Sequence, residues 1–80
     1  MPRLRRLSGD GVVRILQGFV FEIVGQRGSH LKLARAVDGM RQVLVVPRHR
    51  ELDPGTCRAI MRQAGRYVPE NDLRRSFYAE

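Results

Sequence analysis

Apolar positions along this chain follow two periods, and the points where one gives way to the other mark out its elements. After Ser8, the residues Val12, Val13, Ile15 and Leu16 cluster at helical spacing. This predicts a short amphipathic helix with Ser8 as its N-cap and Gly18 as a left-handed stop. From Phe19 the period becomes two: Phe19, Phe21 and Ile23 share one face and Glu22 lies on the other, so a strand is predicted over 19–25. Beyond the turn GQRGSH, residues 25–30, Leu31 and Leu33 point one way while His30, Lys32 and Ala34 point the other. A second strand therefore buries the leucines and shows His30 and Lys32 to solvent. Asp38-Gly39 is a hairpin signal, and MRQVLVVP, residues 40–47, supplies the third strand.

Pro47 closes that strand, and RHRELD leads into a second helix with Asp53 as cap and Pro54 at the first helical position. Cys57, Ile60, Met61 and Ala64 form its apolar stripe, Arg58, Arg62 and Arg66 fall away from it, and Gly65 is the expected stop. The tail YVPENDLRRSFYAE predicts a further short turn of helix from Pro69, with Phe77 or Tyr78 set against the body. Each of the two main helices has one apolar stripe to bury. The order helix, strand, strand, strand, helix therefore predicts an α+β fold: a three-stranded antiparallel sheet with both helices on one face and the other face open. With 80 residues there is room for one domain, its core spanning about 8–66 and its C-terminal extension 67–80.

Charge narrows the partners. The net charge is +7, and fourteen arginines carry it beside the single lysine, Lys32. The planar guanidinium fork meets phosphate oxygens two at a time, so this surplus points to a polyanion, with an acidic protein as the other class of partner. Cys57 is the only cysteine, which excludes an intramolecular disulfide and any multi-cysteine metal site and suits a reducing cytoplasm. It stands in the apolar stripe beside no base, as a packing residue. No run approaches the roughly 18 to 20 apolar residues of a membrane span, and the basic start MPRLRRLSGDG is not followed by a secretory apolar core.

The string QRGSH followed by a strand, then VLVVPRHRELDPGT, then CRAIMRQAG, closely resembles the HicA family of toxin endoribonucleases. The resemblance runs from Ser8 to about Gly65, and the extension RYVPENDLRRSFY is similar to the tail of one branch of that family. It implies a double-stranded-RNA-binding-domain-like fold, cleavage of mRNA, and restraint by a HicB-like antitoxin. It also carries the family's catalytic histidine onto His30. Two departures stand out. Val20 occupies a position where most relatives have glycine, with Gly18 two residues earlier, and Cys57 replaces a usual leucine.

An imidazole titrates near neutrality, as RNA cleavage through its own 2′-OH requires, so His30 is the candidate general base or acid. Arg27, in the same glycine-flanked turn, is a candidate phosphate clamp. Ser29 either donates to the same phosphate oxygen or caps the turn. Lys32 shares the open face with His30 and is placed to neutralise charge developing on phosphorus. His49 is the one other histidine and is assigned to substrate or antitoxin contact. Arg48, Arg50, Arg58 and Arg62 surround the start and polar face of the second helix and are expected to bind RNA phosphates. No histidine, cysteine or carboxylate spacing suggests a metal, so cleavage is expected without a metal or other cofactor. Phe19 and Phe21 are expected in the core, leaving Tyr67, Phe77 and Tyr78 for base stacking, too few for strong base discrimination. The rival expectations are an RNA-binding module of the same fold that cuts nothing, and a basic subunit whose arginines serve only a protein interface.

Overall fold

The computed structural model describes residues 1–79; Glu80 lies outside the described residues. In chain order the elements are β1 (Arg3–Leu4), α1 (Gly9–Gln17), β2 (Glu22–Arg27), β3 (His30–Val37), β4 (Met40–Pro47), α2 (Pro54–Ala64), α3 (Glu70–Phe77) and β5 (Tyr78–Ala79). The strands β2, β3 and β4 form an antiparallel meander, joined at its second corner by Asp38 and Gly39 at φ 52° and 76°, the left-handed pair that matches the twist of a tight hairpin. Both α1 and α2 lie against β4 and press their stripes onto one sheet face. Val12, Leu16, Cys57 and Ile60 meet Leu31, Leu33, Leu44 and Val46 there. Each large aliphatic side chain so buried contributes about 1.5–3 kcal/mol. The fold is the expected α+β arrangement, double-stranded-RNA-binding-domain-like in its α-β-β-β-α core, with a third helix and a small two-stranded pairing added.

The helix starts are where local chemistry put them. The Ser8 side chain accepts from the Gly11 N–H, and Asp53 accepts from the Thr56 N–H with Pro54 following it. The end of α1 differs from expectation. Gly18 stays right-handed at φ −63°, because its N–H still bonds the carbonyls of Arg14 and Ile15. The left-handed residue is Val20, at φ 71°. The chain therefore reverses two residues later than Gly18 suggests, Phe19 and Val20 belong to the turn, and β2 begins at Glu22 rather than Phe19. Phe21 is buried as expected. Ile23 pairs with Leu33 and so faces the helix side, yet it is 48% exposed, because the helices cover β4 and leave the β2 edge bare.

The tail does more than the expected single turn. The helix α3 buries Leu73 and Phe77 in the same cluster as the sheet leucines, which removes Phe77 from the aromatics available for stacking; Tyr67 and Tyr78 are half-buried against that cluster. Tyr78 and Ala79 pair with Leu4 and Arg3, and the Arg5 N–H bonds the Phe77 carbonyl at 2.8 Å. The two ends of the described chain are thus joined. Neither segment has an alternation from which a strand of two residues is predicted.

Candidate active site

His30 is the first residue of β3 and projects from the sheet face away from the helices, exposed as the alternation predicts. A two-residue turn, Gly28 and Ser29, connects it to Arg27, and Gly28 stands at φ 58°, where a side chain is strained. Arg27 pairs directly with His30 across the β2–β3 ladder, and Pro47 pairs with His30 on its other side. The Arg27 pairing depends on an irregularity. Glu22 and Ile23 pair with Ala34 and Leu33, but the register shifts between Ile23 and Gly25, so that Gly25 opposes Lys32 and Arg27 opposes His30. An unbroken ladder would set Gln26 there instead. The bulge thereby brings a guanidinium-bearing residue to the imidazole's face of the sheet.

The far side of the site is held by the chain leaving β4. The Arg48 N–H donates to the Ser29 carbonyl, and the Gly9 N–H to the His49 carbonyl at 2.8 Å. The start of α1 is therefore in contact with the Pro47–His49 backbone. A Cβ on Gly9 would overlap the Pro47 carbonyl oxygen and lie 2.7 Å from the Arg48 Cα, so only glycine allows this approach. The Arg48 Nε donates to the Asp10 carboxylate at 3.1 Å, both side chains being about half exposed. Such a pair is worth at most about 1 kcal/mol; its effect is to aim Arg48.

These contacts bring Arg27, Ser29, His30 and Arg48 to one end of the sheet, with Lys32 two residues along on the same face, opposite Val45. His49 and Arg50 are exposed on the segment that follows. The backbone of that segment is pinned by the Gly9 bond and by a Leu52-to-Leu7 bond of 2.8 Å. No side-chain hydrogen bond joins His49 to His30 among the described residues. Arg58 and Arg62 lie elsewhere on α2, in the wall of a groove shared with α3. The sequence reading missed Asp10 and Gly9. An acidic residue in the first turn of a capped helix was a visible sign of the former; the latter depends on a contact 38 residues away in sequence, across which Arg48 and Asp10 also meet.

Two groups near the site carry shifted acidities. The Thr56 N–H and hydroxyl hold the Asp53 carboxyl below the ordinary carboxylate value, with a small further contribution from His49 nearby. Burial pushes the Cys57 thiol up, and Asp53 adds to it, so Cys57 is a protonated packing residue. Among the described residues, no three His, Cys, Asp or Glu side chains gather into a group able to hold a metal ion. The face assembled at His30 is open, cationic and equipped with one titratable imidazole, an arrangement suited to a phosphodiester.

No helix is long and apolar enough to cross a membrane among the described residues. No curated protein and no solved structure matches the chain. The family model described as HicA toxin of bacterial toxin–antitoxin matches residues 9–65. That span begins with the first residue of α1, takes in the whole three-stranded sheet and the His30 turn, and ends just past α2. With its helical layer, its sheet and the GSH turn all inside the match, the chain belongs to the HicA toxin family of bacterial toxin–antitoxin systems, whose toxins are generally ribonucleases.

Proposed function

We propose that this protein is a cytoplasmic endoribonuclease toxin that cleaves mRNA through His30, without a metal, and is held inactive by a HicB-like antitoxin. Family membership carries the class of activity. The position of His30, exposed between Arg27 and the Pro47–Arg48 segment, supports the choice of residue. The imidazole takes the proton of a ribose 2′-OH; the 2′-oxygen bonds to the adjacent phosphorus, and the bond from phosphorus to the 5′-oxygen breaks. The leaving oxygen takes a proton from the imidazolium or from water. The products are a 2′,3′-cyclic phosphate and a free 5′-OH, with no change of redox state.

Arg27 and Lys32 neutralise the charge that grows on the phosphoryl oxygens. Arg48, aimed by Asp10, and the Ser29 hydroxyl hold the same phosphate or its neighbour, and His49 and Arg50 guide the strand beyond it. The test is incubation of a synthetic mRNA fragment with the protein in excess EDTA, alongside a folded His30→Ala variant. Wild-type cleavage to cyclic phosphate ends is expected, with a loss of about a hundredfold or more in the variant. Cleavage retained by the variant would overturn the role of His30. RNA binding with no cleavage by the wild-type protein would instead make the chain a non-catalytic RNA-binding module.

A further inference from the structure

The groove between α2 and α3 has walls and floor of opposite character. Arg58 and Arg62, one helical turn apart on α2, stand with Arg66 and Arg74 around it, and Glu70 is the one acidic residue in the lining. The ion pairs among the described residues are Arg48 with Asp10 and Arg75 with Asp72, so none of these four guanidinium groups is neutralised. Like charges one turn apart repel and destabilise a helix. The floor is apolar: Met61 and Tyr78 are half-buried against the core and Leu73 belongs to it. With a volume of about 460 Å³, the groove seats several side chains rather than a single ion.

We propose that this groove is the docking site for an acidic amphipathic helix of a partner protein. The proposal rests on the reading that a protein holds this toxin, and it adds where and by what chemistry. A helix with an apolar stripe flanked by Asp and Glu satisfies both parts of the groove at once, its stripe on the exposed parts of Met61 and Tyr78, which the buried Leu73 supports from beneath, and its carboxylates on the arginines. RNA fits less well. Its phosphates would engage the arginines but leave the floor unused. The one aromatic ring in the lining, Tyr78, already carries the Arg74 guanidinium 4.4 Å from its centroid, so a base finds that face occupied. A second copy of the chain is opposed by its net charge of +7. The groove also depends on α3, which lies outside the span matched by the family model.

The probe is a fluorescein-labelled helical peptide of about 18 residues with a leucine stripe at helical spacing and glutamate on either side, compared with a scrambled peptide of the same composition and with a short single-stranded RNA. Anisotropy is measured at physiological salt on the wild-type protein and on the double variant Arg66→Glu with Arg74→Glu. The helical peptide is expected to bind about tenfold tighter than the scrambled one. The double variant is expected to weaken it by about tenfold or more while RNA cleavage is unchanged. Equal binding of the two peptides, or indifference to the charge reversals, would overturn the groove. A matching loss of RNA affinity would overturn it too, by making the groove a path for the strand. Cleavage by the wild-type protein is scored separately, so the enzymatic reading and the groove fail on different results. The single variant Arg66→Glu, whose side chain makes no hydrogen bond among the described residues, carries the test if the double variant does not fold.

Discussion

Val20 holds a β-branched side chain at φ 71° with 72% of its surface in solvent. The left-handed region costs an L-residue about 1–2 kcal/mol, and an exposed side chain recovers little of that through packing. Glycine removes the strain and gives back about 0.4–1 kcal/mol through the greater freedom of the unfolded chain. Val20→Gly is therefore expected to stabilise the protein by up to about 1 kcal/mol, seen as a rise of several degrees in the thermal midpoint; an unchanged or lower midpoint would mean the valine makes a contact that outweighs its strain. Resemblance to a family with glycine there was the one hint of this position, since valine itself signals a strand. His30 was legible for the opposite reason. Its side is fixed by the alternation of its own strand, a property of neighbouring residues, whereas its pairing with Arg27 was not, because a single extra residue in β2 shifts every pairing beyond it.

At the scale of elements, α2 shows how far a local signal reaches. Asp53 accepts from the Thr56 N–H at 2.7 Å and from the Thr56 hydroxyl at 3.1 Å, and these bonds lower its pKa. A carboxyl whose folded value is depressed adds stability that is fully present above its unfolded value, near 3.8, and is lost as the pH falls through the lower folded value. Asp53→Ala is accordingly expected to lower the thermal midpoint by a few degrees at neutral pH. The gap between variant and wild type should close as the pH is taken below 3.8; a gap that persists in acid would assign the cap's effect to something other than the ionised carboxylate. A cap needs partners only three residues away, which is why Asp53 and Ser8 could be named from sequence. The β4 edge is different. Its Val45 N–H and carbonyl are met by the Gln63 side chain at 3.0 and 3.4 Å, and nothing in the pattern of either element announces that α2 closes that edge.

The whole molecule is tied together by an arginine that charge alone would have assigned to a polyanion. Arg35 continues the buried face of Leu31 and Leu33 to the end of the sheet, where its guanidinium donates to the Phe19 carbonyl at 2.8 Å, the Tyr67 carbonyl at 2.8 Å and the Gln42 side chain at 2.6 Å. It also lies 4.6 Å over the Phe21 ring. One side chain thus fixes the α1–β2 turn, the β3–β4 ladder and the turn into α3. Arg35→Ala is expected to cost about 2–4 kcal/mol in urea unfolding, and Arg35→Lys to recover little, since an ammonium cannot span three divergent acceptors; a loss under about 0.5 kcal/mol would deny the tie. By itself the sequence determined the helix starts, the Asp38-Gly39 hairpin, the three-strand order and the open face of His30, because each rests on interactions within a few residues or on the two-residue period of a strand. Tertiary structure decided the rest. It set which arginine faces the imidazole, which arginine is structural and which ones line a groove with apolar floor, and that the chain ends pair. The structural arginine and the paired ends join residues 16, 32 and 71 positions apart, at separations where only the packed core, and no local preference, selects the partner, and the arginine facing His30 is set by the register shift within β2.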